Sequence, residues 1–505
     1  MPNLNKIQGF IRSSLSKTRF VVVSNREPYV HSFSKTGEIQ CSKPTSGMAS
    51  ALDPVLQAGR GIWIAHGSGE ADATAVDGRG YVPVPPANPK YLLQRVWLSP
   101  QQQEGYYRGF SNQALWPLCH NTYVRPHFDW NHWKVYREVN ELFAEQVHRS
   151  VGNARALVFV QDYHLALLPY LVKQKCPQAV VAHFWHIPWP SPEVMRICPW
   201  QREIIKGLLG SDLLGFHLPQ YCRNFLAAAR ALFPQPRQGR RNTVTHEDHA
   251  TRVRPFPIGI DFDEFDRLAG SSEVARRMQA IRRRYALPRW LGVGVDRMDY
   301  IKGIPERMQA VGRFFEMYPQ YLEQFSFVQV AVPSRMELAP YQKLARTVHR
   351  LVDQINERFG TKDWKPIHLL AENLPSPDVT AWYRLADFCL VSSLHDGMNL
   401  VAKEFIAAKR ESDGVLLLSQ FAGTAETLHD ALLINPYDTD GMARQMDRAL
   451  HLDPAEVRQR MRRMRATLRR RNIYRWAVDI LAAAAECGQS SLETEEEPLA
   501  AVTGF

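Results

Sequence analysis

The stretch "SSLHDGMNLVAKEF", residues 392–405, joins two segments of opposite character. The apolar run "DFCLVSSL" stops at His395, and the helix-forming run "NLVAKEFIAAKR" follows almost at once, with Asp396 and Gly397 in the joint. A helix that begins near Met398 directs unpaired backbone N–H groups and the positive end of its dipole toward this joint. The joint therefore indicates either a capped helix, because Asp and Asn are common N-caps, or a diphosphate site.

The same pattern of a short apolar run ending in polar residues recurs along the chain. Further examples are "RFVVVSNRE", "ALVFVQDYH", "AVVAHFWHIPWP", "DLLGFH", "WLGVGVDR", "FSFVQVAVPSR", "GVLLLSQFAG" and "ALLINPYD". Apolar strands alternating with helices predict an α/β fold with parallel sheets covered on both faces. Ligands bind such sheets at the carboxyl ends of the strands. The residues that the sequence places at those ends are Arg26, Asp162, His186, Arg297, Arg335 and Asp396.

Chain length and a polar break predict two domains. A chain of 505 residues exceeds what one hydrophobic core usually serves. The segment "FPQPRQGRRNTVTHEDHATRVRPFP", residues 233–257, is basic and rich in turn formers. We expect a flexible leader over 1–17, an N-terminal domain over 18–245, a second domain over 250–465, a C-terminal helix over 466–487 and an acidic tail over 488–505.

Composition limits the classes of partner and compartment. The net charge is +11, but the arginine-rich runs carry no interleaved aromatics and no nucleic-acid motif, so we expect no nucleic-acid partner. Seven scattered cysteines without a Cys-x-x-Cys pair argue against disulfides and zinc, and for a reducing cytoplasm. No stretch approaches the roughly 20 apolar residues that cross a bilayer. The sequence therefore predicts a cytoplasmic protein without membrane contact.

A second candidate site follows the run "GVDRMDYIKGIPERM", residues 294–308. A strand predicted to end at Asp296 is followed by Arg297, Asp299 and Lys302. Arginine offers a planar fork and lysine a point charge, and together they could bracket a diphosphate. The alternative is a solvated loop with an Arg–Asp ion pair. The run "GVGVDR" lacks the third glycine of a dinucleotide fingerprint, which argues against hydride transfer on a nicotinamide.

The N-terminal half supplies a carboxylate, an imidazole and aromatic rings as candidates. Asp162 and His186 follow predicted strands, where a carboxylate and an imidazole could hydrogen-bond sugar hydroxyls or serve as structural residues. The run "GYYRGFSNQALWPLCH", residues 105–120, packs Tyr107 and Trp116 with other aromatics and is also typical of a core. The chain has no Gly-x-Ser-x-Gly elbow, so an acyl-enzyme route has no visible support.

Taken together and in order, these segments resemble the trehalose-6-phosphate synthase family of retaining nucleotide-sugar glycosyltransferases, glycosyltransferase family 20. The resemblance extends from "VVVSNRE" near residue 21 to "LINPYD" near 438, which is most of the chain. It is carried by "FSNQALWPLCH", "DYHLALLP", "HIPWPSPE", "DLLGFH", "PFPIGID", "VDRMDYIKGIPERM", "DGMNLVAKEF" and "LSQFAGTAETL". The start "NREPY" also resembles the related glucosylglycerol-phosphate synthases.

The resemblance implies a GT-B fold, in which two Rossmann-like doubly wound domains face each other across a cleft that holds the active site. It implies transfer of glucose from a nucleoside diphosphate glucose, UDP-glucose by expectation, to glucose 6-phosphate with retained anomeric configuration. The products are trehalose 6-phosphate, an osmoprotectant precursor, and the nucleoside diphosphate. No cofactor and no metal are expected. A separate phosphatase would act downstream, and a homo-oligomer is left open.

The resemblance also assigns roles to positions of this chain. The implied catalytic residues are Arg297, Lys302, Asp162 and His186. The implied donor-binding residues are Arg297 and Lys302 with Gly47, Asp396, Gly397, Met398, Asn399, Leu400, Val401 and Glu404. The implied acceptor-binding residues are Arg26, Tyr107, Trp116, Asp162 and Arg335.

Three departures from the family pattern bear on the substrates. His66-Gly67 stands near the usual Trp-Ser-Gly, a single Gly47 replaces glycine pairs, and His395 replaces an arginine. They leave open a glucosylglycerol-phosphate synthase that uses ADP-glucose and glycerol 3-phosphate and, more distantly, a non-catalytic sugar-nucleotide sensor. Arg335 in "VPSR" matches the phosphate-reading arginine of the trehalose branch and favours glucose 6-phosphate.

Overall fold

The computed structural model describes residues 9, 18–43, 47–235 and 241–495 of the chain. The chain divides into two compact units, one comprising Met1–Pro257 with Tyr474–Phe505 and the other Ile258–Ile473. The division thus falls between Pro257 and Ile258, whereas the sequence placed a break near 245–250. Apart from Gly9, the predicted leader lies outside the described residues, and so do residues 496–505 of the predicted tail.

The first unit is built on a large, mostly parallel sheet. Its strands are β1 (Arg19–Ser24), β2 (Val30–Phe33), β3 (Ile39–Ser42), β4 (Ile62–His66), β5 (Tyr81–Val84), β6 (Tyr91–Val96), β7 (Ala156–Gln161), β8 (Val180–Phe184), β9 (Leu213–Phe216), β10 (Thr243–His246) and β11 (His249–Pro255). The sheet has nine strands in the order β10-β11-β9-β8-β7-β1-β4-β6-β5, while β2 and β3 pair separately. Its two outer strands are antiparallel to their neighbours and the others are parallel.

Helices cover this sheet, and one of them is unusual. The α-helices are Gly47–Gly59, Asp72–Ala75, Pro100–Gln102, Trp116–His120, Trp130–Val151, Leu168–Lys175, Pro192–Met195, Gln201–Leu208, Pro219–Leu232 and Ile473–Glu495, whose first residue belongs to the second unit. A 3₁₀ turn spans Tyr163–Leu165. The segment Gln103–Leu115 forms a π-helix of 13 residues. Because π-helices are rare and mostly single-turn features found at functional sites, this segment draws attention to Tyr107.

The second unit contains a six-stranded, wholly parallel sheet. Its strands are β12 (Trp290–Arg297), β13 (Phe325–Val332), β14 (Ile367–Leu370), β15 (Phe388–Val391), β16 (Val415–Ser419) and β17 (Leu432–Ile434), and the sheet order is β14-β13-β12-β15-β16-β17. The α-helices are Phe262–Ala269, Ser272–Tyr285, Ile304–Met317, Ala339–Phe359, Ser376–Leu385, Leu400–Ala408, Thr439–His451 and Pro454–Arg470. The 3₁₀ turns are Tyr300–Lys302, Pro319–Tyr321 and Gly423–Glu426. The single helix predicted over 466–487 corresponds to the end of Pro454–Arg470 and the start of Ile473–Glu495.

Alternating residues of the central strands explain why both faces of the second sheet are covered. In β15, Phe388 and Leu390 join one buried hydrophobic cluster, while Cys389 and Val391 join another. Successive side chains of a strand point to opposite faces, so a continuously apolar strand requires a layer of helices on each side. This is why the apolar runs of the sequence predict the fold class well.

Both units have the same strand order. Numbered by their position along the chain, the parallel strands lie in the order 3-2-1-4-5-6 in each sheet, with β11 as a seventh strand in the first unit. This is the order of the doubly wound Rossmann fold, which binds ligands where the order reverses. The reversal lies between β12 and β15 in the second unit, and between β1 and β7 in the first. The prediction of two Rossmann-like domains is confirmed.

Candidate active site

In the second unit, the loops that follow β12 and β15 meet at the point where the strand order reverses. Lys302 Nζ lies 2.5 Å from Asp396 Oδ2. The backbone N–H of Leu394 donates to the carbonyl of Ile301 at 2.7 Å, which fixes one loop to the other. Lys302 and Asp396, which are 94 positions apart in the sequence, are therefore brought together as the strand ends predicted.

The joint before the helix Leu400–Ala408 is capped by Asn399 rather than by Asp396. The Asn399 Oδ1 atom accepts from the backbone N–H of Ala402 at 3.0 Å, and its Nδ2 atom donates to Asp396 Oδ2 at 3.2 Å. Asn399 has a φ of +72°, a region in which Asn is enriched among non-glycine residues. The cap thus also holds the Asp396 carboxylate. Capping and ligand binding, which the sequence presented as alternatives, are compatible here.

A threonine from a third loop completes the joint. The Thr424 hydroxyl donates to the carbonyls of Met398 and Asn399, the second at 2.9 Å, and its backbone N–H donates to the Met398 carbonyl at 2.9 Å. The loop after β16 therefore fixes the two carbonyls just ahead of the helix, so the N-terminus of this nine-residue helix has a defined position. The first N–H groups of a helix so placed can bind an anion.

Two arginines share one buried carboxylate beside this joint. The Asp299 Oδ2 atom lies 3.3 Å from Arg335 Nη1 and 3.9 Å from Arg297 Nη2, and the Asp299 side chain is fully buried. Arg335 Nη1 also donates to the hydroxyl of Tyr341 at 2.6 Å, and its side chain is only 6% exposed, whereas that of Arg297 is 39% exposed. Arg335 is thus held in place by protein, while Arg297 is accessible to a ligand.

The charges around the second unit's site leave an excess of one positive charge. Arg297, Lys302 and Arg335 face two carboxylates, Asp299 and Asp396. Each carboxylate orients a cation and lowers the cost of holding it there in the absence of a ligand. An incoming anion would meet cations that are already positioned, which is the condition for strong electrostatic stabilisation.

Two ionisable residues with strongly perturbed pKa values follow on the same helix. Burial raises the pKa of Glu404 to about 7, opposed by a hydrogen bond that its carboxylate accepts from the Tyr383 hydroxyl at 3.2 Å. Burial also lowers the pKa of Lys403 to about 7, and its ammonium donates to the carbonyl of Ile258. Perturbed pairs of this kind are typical of functional sites but also occur in structural networks.

In the first unit, Asp162 and His186 are joined by backbone hydrogen bonds. Asp162 Oδ1 accepts from the backbone N–H of Tyr163 at 3.0 Å and from that of His186 at 3.2 Å. Asp162 itself has a φ of +73°, a strained value for a non-glycine residue and one that recurs at functional sites. The carboxylate of Asp162 is therefore anchored to the ends of both β7 and β8.

The imidazole of His186 is neutral and has a defined tautomer. Gln161 Nε2 donates to the carbonyl of Val160 at 3.2 Å, so the Gln161 Oε1 atom faces His186 Nε2 at 3.0 Å and must accept its proton. The Nδ1 atom is then the acceptor of the ring. Burial, reinforced by His217, His183 and His164, holds the pKa of His186 well below its ordinary value. A neutral acceptor suits a sugar hydroxyl.

The π-helix places the predicted acceptor residues close to the Asp162 loop. Arg26 Nη2 donates to the Tyr107 hydroxyl at 3.3 Å, and the Tyr107 ring stacks on His164 with ring centres 5.6 Å apart. Trp116 is buried, with its ring 5.8 Å from that of Tyr163. Of the five predicted acceptor residues, Arg26, Tyr107, Trp116 and Asp162 lie in the first unit and Arg335 lies in the second.

Several residues of these two sites carried no distinctive signal in the sequence. Asn112 donates to the Tyr107 carbonyl at 2.8 Å and accepts from the Tyr163 hydroxyl at 2.9 Å, which ties the π-helix to the Asp162 loop. His164 and Tyr163 were visible only as parts of "DYHLALLP". In the second unit the same is true of Thr424, which lies within "LSQFAGTAETL".

Two of the three departures from the family pattern, the pair His66-Gly67 and the single Gly47, lie in the first unit. His66 is buried with Nδ1 3.1 Å from the Val96 carbonyl, and burial lowers its pKa. A Cβ on Gly67 would come within 2.5 Å of the Trp97 ring, so an exposed tryptophan lies directly over this glycine. Gly47 is the first residue of the helix Gly47–Gly59, and residues 44–46 lie outside the described residues.

Two features are absent from the described residues, a metal-binding group of side chains and a membrane-spanning helix. Within these residues, no group of three or more His, Cys, Asp or Glu side chains could hold a metal ion. No helix of the described segments is long and apolar enough to cross a bilayer.

Known proteins resemble this chain over most of its length. Residues 18–486 match the sequence profile of glycosyltransferase family 20. The chain is 36% identical over 489 residues to a trehalose-6-phosphate synthase of Mycolicibacterium smegmatis, with 95% of each chain covered. It is 37% identical over 481 residues to a bifunctional trehalose-6-phosphate synthase/phosphatase of Thermoproteus tenax. This alignment includes 92% of the present chain and 63% of the Thermoproteus tenax protein.

Solved structures give the same result for the fold. A UDP-forming alpha,alpha-trehalose-phosphate synthase from Burkholderia xenovorans in complex with glucose-6-phosphate superposes with a TM-score of 0.82 at 29% identity, covering 92% of this chain and 99% of that one. The predicted resemblance and the predicted GT-B class are thereby confirmed. The chain belongs to glycosyltransferase family 20 and is a glycosyltransferase.

Proposed function

We propose that this chain transfers the glucosyl group of UDP-glucose to glucose 6-phosphate, forming trehalose 6-phosphate and UDP. The Mycolicibacterium smegmatis relative, which aligns with this chain over 95% of its length, is named for this reaction. The Burkholderia xenovorans relative is UDP-forming and was solved in complex with glucose-6-phosphate. UDP-glucose is a co-substrate in this proposal and not a bound cofactor. No metal is required by it.

One structural observation carries the proposal. At the point where the strand order of the second unit reverses, Lys302 and Arg297 stand beside the defined N-terminus of the helix Leu400–Ala408. This combination of a lysine, an accessible arginine and a fixed helix N-terminus suits a diphosphate. The donor would be held there along Asp396–Val401, with Glu404 taking the ribose hydroxyls and Gly47 contacting the donor phosphates.

The proposed step is a front-side displacement with retained configuration. The anomeric hydroxyl oxygen of glucose 6-phosphate forms a bond to C1 of the donor glucose, and the bond from C1 to the diphosphate oxygen breaks. The proton of the attacking hydroxyl passes to the departing diphosphate oxygen, so no protein base is consumed. Lys302 and Arg297 stabilise the negative charge that develops on the leaving group. Catalysis then rests on positioning and preorganised charge.

The other predicted residues position the sugars in this scheme. Asp162 and the Nδ1 atom of neutral His186 accept hydrogen bonds from sugar hydroxyls near the reacting carbon. Arg26, Tyr107 and Trp116 hold the acceptor, and Arg335 binds its phosphate. Arg335 suits that role because Asp299 and Tyr341 already hold its guanidinium in one orientation.

A second candidate acceptor is glycerol 3-phosphate. His66 and Trp97 occupy the region where the family has Trp-Ser-Gly, and an exposed tryptophan over Gly67 could reshape an acceptor pocket. We favour glucose 6-phosphate because Arg335 in "VPSR" matches the phosphate-reading arginine of the trehalose branch. Two related predictions stay open: a separate phosphatase acting downstream, and self-association of the chain.

The deciding experiment measures nucleoside diphosphate release from UDP-, GDP- and ADP-glucose, each with glucose 6-phosphate or glycerol 3-phosphate. We expect the largest kcat/KM for UDP-glucose with glucose 6-phosphate, and trehalose 6-phosphate as the product. A preference for glycerol 3-phosphate would keep the donor site and replace the acceptor. Tight sugar-nucleotide binding without turnover in any combination would instead support a sensor.

A further inference from the structure

Beneath the diphosphate site of the second unit lies a fully buried arginine, Arg307, on the helix Ile304–Met317. Its Nη2 atom donates to Asp296 Oδ2 at 2.7 Å, its Nη1 atom to Gln329 Oε1 at 2.8 Å and its Nε atom to Ser392 Oγ at 3.0 Å. These three partners belong to β12, to β13 and to the residue after β15. One guanidinium therefore joins three neighbouring strands at or near their carboxyl ends.

The same network reaches the loop that carries Lys302. The Ser392 hydroxyl lies 3.2 Å from the Lys302 carbonyl and 2.8 Å from the Gly303 carbonyl, and Arg307 Nη2 lies 3.5 Å from the Lys302 carbonyl. Lys302 in turn bonds Asp396, which is four residues beyond Ser392. Arg307 thus contacts the backbone of the Lys302 loop and the Ser392 side chain at the start of the Asp396 loop, and it is itself fully buried.

Two glycines make room for this arrangement. A Cβ on Gly294 would lie 2.3 Å from Arg307 Nη1, and a Cβ on Gly303 would lie 2.2 Å from the Ser392 carbonyl oxygen. Gly303 also has a φ of +62°, which glycine adopts at little cost. A side chain at position 294 would displace the guanidinium itself, and one at position 303 would displace the Ser392 backbone whose hydroxyl Arg307 bonds.

Burying a charged side chain in a protein core costs desolvation free energy. Desolvation of the charged pair offsets much of its attraction, and apolar residues of similar volume are often as stable or more stable. A gain in stability therefore does not explain why an arginine, and not an apolar residue, occupies position 307. The geometry of the arginine offers a reason, because a planar fork with three separate partners can fix the relative positions of three strand ends.

We propose that Arg307 is a positioning residue that acts through Lys302: it fixes the Lys302 and Asp396 loops in the geometry that binds and stabilises the departing diphosphate. This inference rests on the proposed function, since it concerns the same site. Arg307 touches no substrate. Its effect on the reaction is expected to disappear when Lys302 is absent.

The test is a double-mutant cycle in kcat and in UDP affinity. Arg307→Met and Ser392→Ala are made singly and in combination with Lys302→Ala, and UDP binding is measured by calorimetry alongside turnover with UDP-glucose and glucose 6-phosphate. We expect Arg307→Met to lower kcat about 100-fold, as a displacement of about 1 Å can, and Ser392→Ala to do so more weakly. In the Lys302→Ala background, Arg307→Met should lower kcat and UDP affinity by less than about threefold.

The matched control is Arg95, a second fully buried arginine that pairs with Glu27 and Asp72 in the first unit. Arg95→Met should lower the thermal midpoint as Arg307→Met does, yet its effect on UDP affinity should be small and independent of Lys302. If Arg307→Met is additive with Lys302→Ala, Arg307 is only structural and the inference is wrong. Ser392→Ala keeps the buried ion pair, so it gives the same answer if Arg307→Met does not fold.

Failure of the inference can be told apart from failure of the proposed function. If the wild-type protein releases UDP and the cycle is additive, only the role of Arg307 is refuted. If the wild-type protein neither turns over nor binds UDP, the diphosphate site is refuted and the inference is refuted with it.

Discussion

The two Rossmann-like units share a strand order but differ in the chemistry at the point where it reverses. In the second unit that point carries three cations and two carboxylates, with Arg297 and Arg335 beside Asp299 and Lys302 beside Asp396. In the first unit it carries aromatic rings, the neutral imidazole of His186, a carboxylate, Asp162, that is bonded to backbone N–H groups, and a single cation, Arg26, that bonds Tyr107. The same scaffold therefore presents a charged site in one unit and a hydrogen-bonding, aromatic one in the other.

This difference suggests a division of labour that the fold alone does not determine. A diphosphate leaving group needs positive charge that is already in place, whereas sugar hydroxyls need neutral donors and acceptors with fixed directions. In the second unit, carboxylates hold the cations. In the first, amide groups and ring stacking hold the acceptors. The comparison can be tested by removing the charge from one site and the hydrogen bond from the other.

The largest effect is expected from Lys302→Ala. Loss of the ammonium should lower kcat about 10²- to 10³-fold, the usual cost of removing one preorganised transition-state donor. The thermal midpoint should change little. Lys343→Ala, on the exposed face of the helix Ala339–Phe359, is the matched control and should leave kcat unchanged. An unchanged rate in Lys302→Ala would remove this lysine from the mechanism.

Arg335→Ala should separate acceptor binding from turnover. A charged hydrogen bond is worth about 1.5–3 kcal/mol, so we expect KM for glucose 6-phosphate to rise about 10- to 100-fold with kcat within threefold of wild type. Steady-state kinetics at saturating UDP-glucose measure both constants. Arg350→Ala, at an exposed position of the helix Ala339–Phe359, is the control. If kcat falls and KM does not change, Arg335 acts on the donor through the Asp299 that it shares with Arg297.

His186→Gln should have a smaller effect and a distinct pH signature. We expect kcat/KM to fall about tenfold, since one hydrogen bond is worth about 0.5–1.5 kcal/mol. Because burial holds the pKa of His186 well below its ordinary value, its ring is neutral at neutral pH, and the shape of the rate profile around neutral pH should not change. Exposed His349→Gln is the control. Loss of an ionisation step from the profile would show that His186 titrates and would contradict the neutral site.

Glu404→Gln is expected to change how the free energy of unfolding depends on pH. Burial raises the pKa of Glu404 to about 7, against about 4.3 for an ordinary glutamate, so between these values the unfolded chain binds fewer protons than the folded one. Stability should therefore fall as pH rises from about 4.3 to 7, and stay constant above. The variant should gain about 1–3 kcal/mol relative to wild type on going from pH 4 to pH 8. Chemical unfolding at both values measures this, and an equal difference at both would mean that Glu404 ionises normally.

The sequence predicted the positions of the strand ends, and hence much of both sites. Lys302 and Asp396 meet because each follows a continuously apolar strand, and adjacent parallel strands end at the same edge. The supporting residues could not be predicted in this way. Arg307 is one arginine among many in the sequence, and only the folded sheet shows that Asp296, Gln329 and Ser392 surround it.

Two local details also depended on tertiary contacts. The π-helix of Gln103–Leu115 has no simple periodicity in the sequence, and Asn112 acquires its role only when Tyr163 packs against it. The cap of the helix Leu400–Ala408 is Asn399, which also holds the Asp396 carboxylate that pairs with Lys302. In both places the role of a residue depends on a partner far away in the sequence.

The first unit is discontinuous in sequence, which sets an order for folding during synthesis. Trp476, from the last helix, packs against Phe159 and Phe184, and Ile480, Leu481 and Ala484 are also buried in that unit. All of Ile258–Ile473 leaves the ribosome before these residues do. The second unit can thus complete its core first, although domains generally fold from the N-terminus onward. The earlier-made half must wait for its last helix, and the part of β7 and β8 that Trp476 covers stays exposed until then.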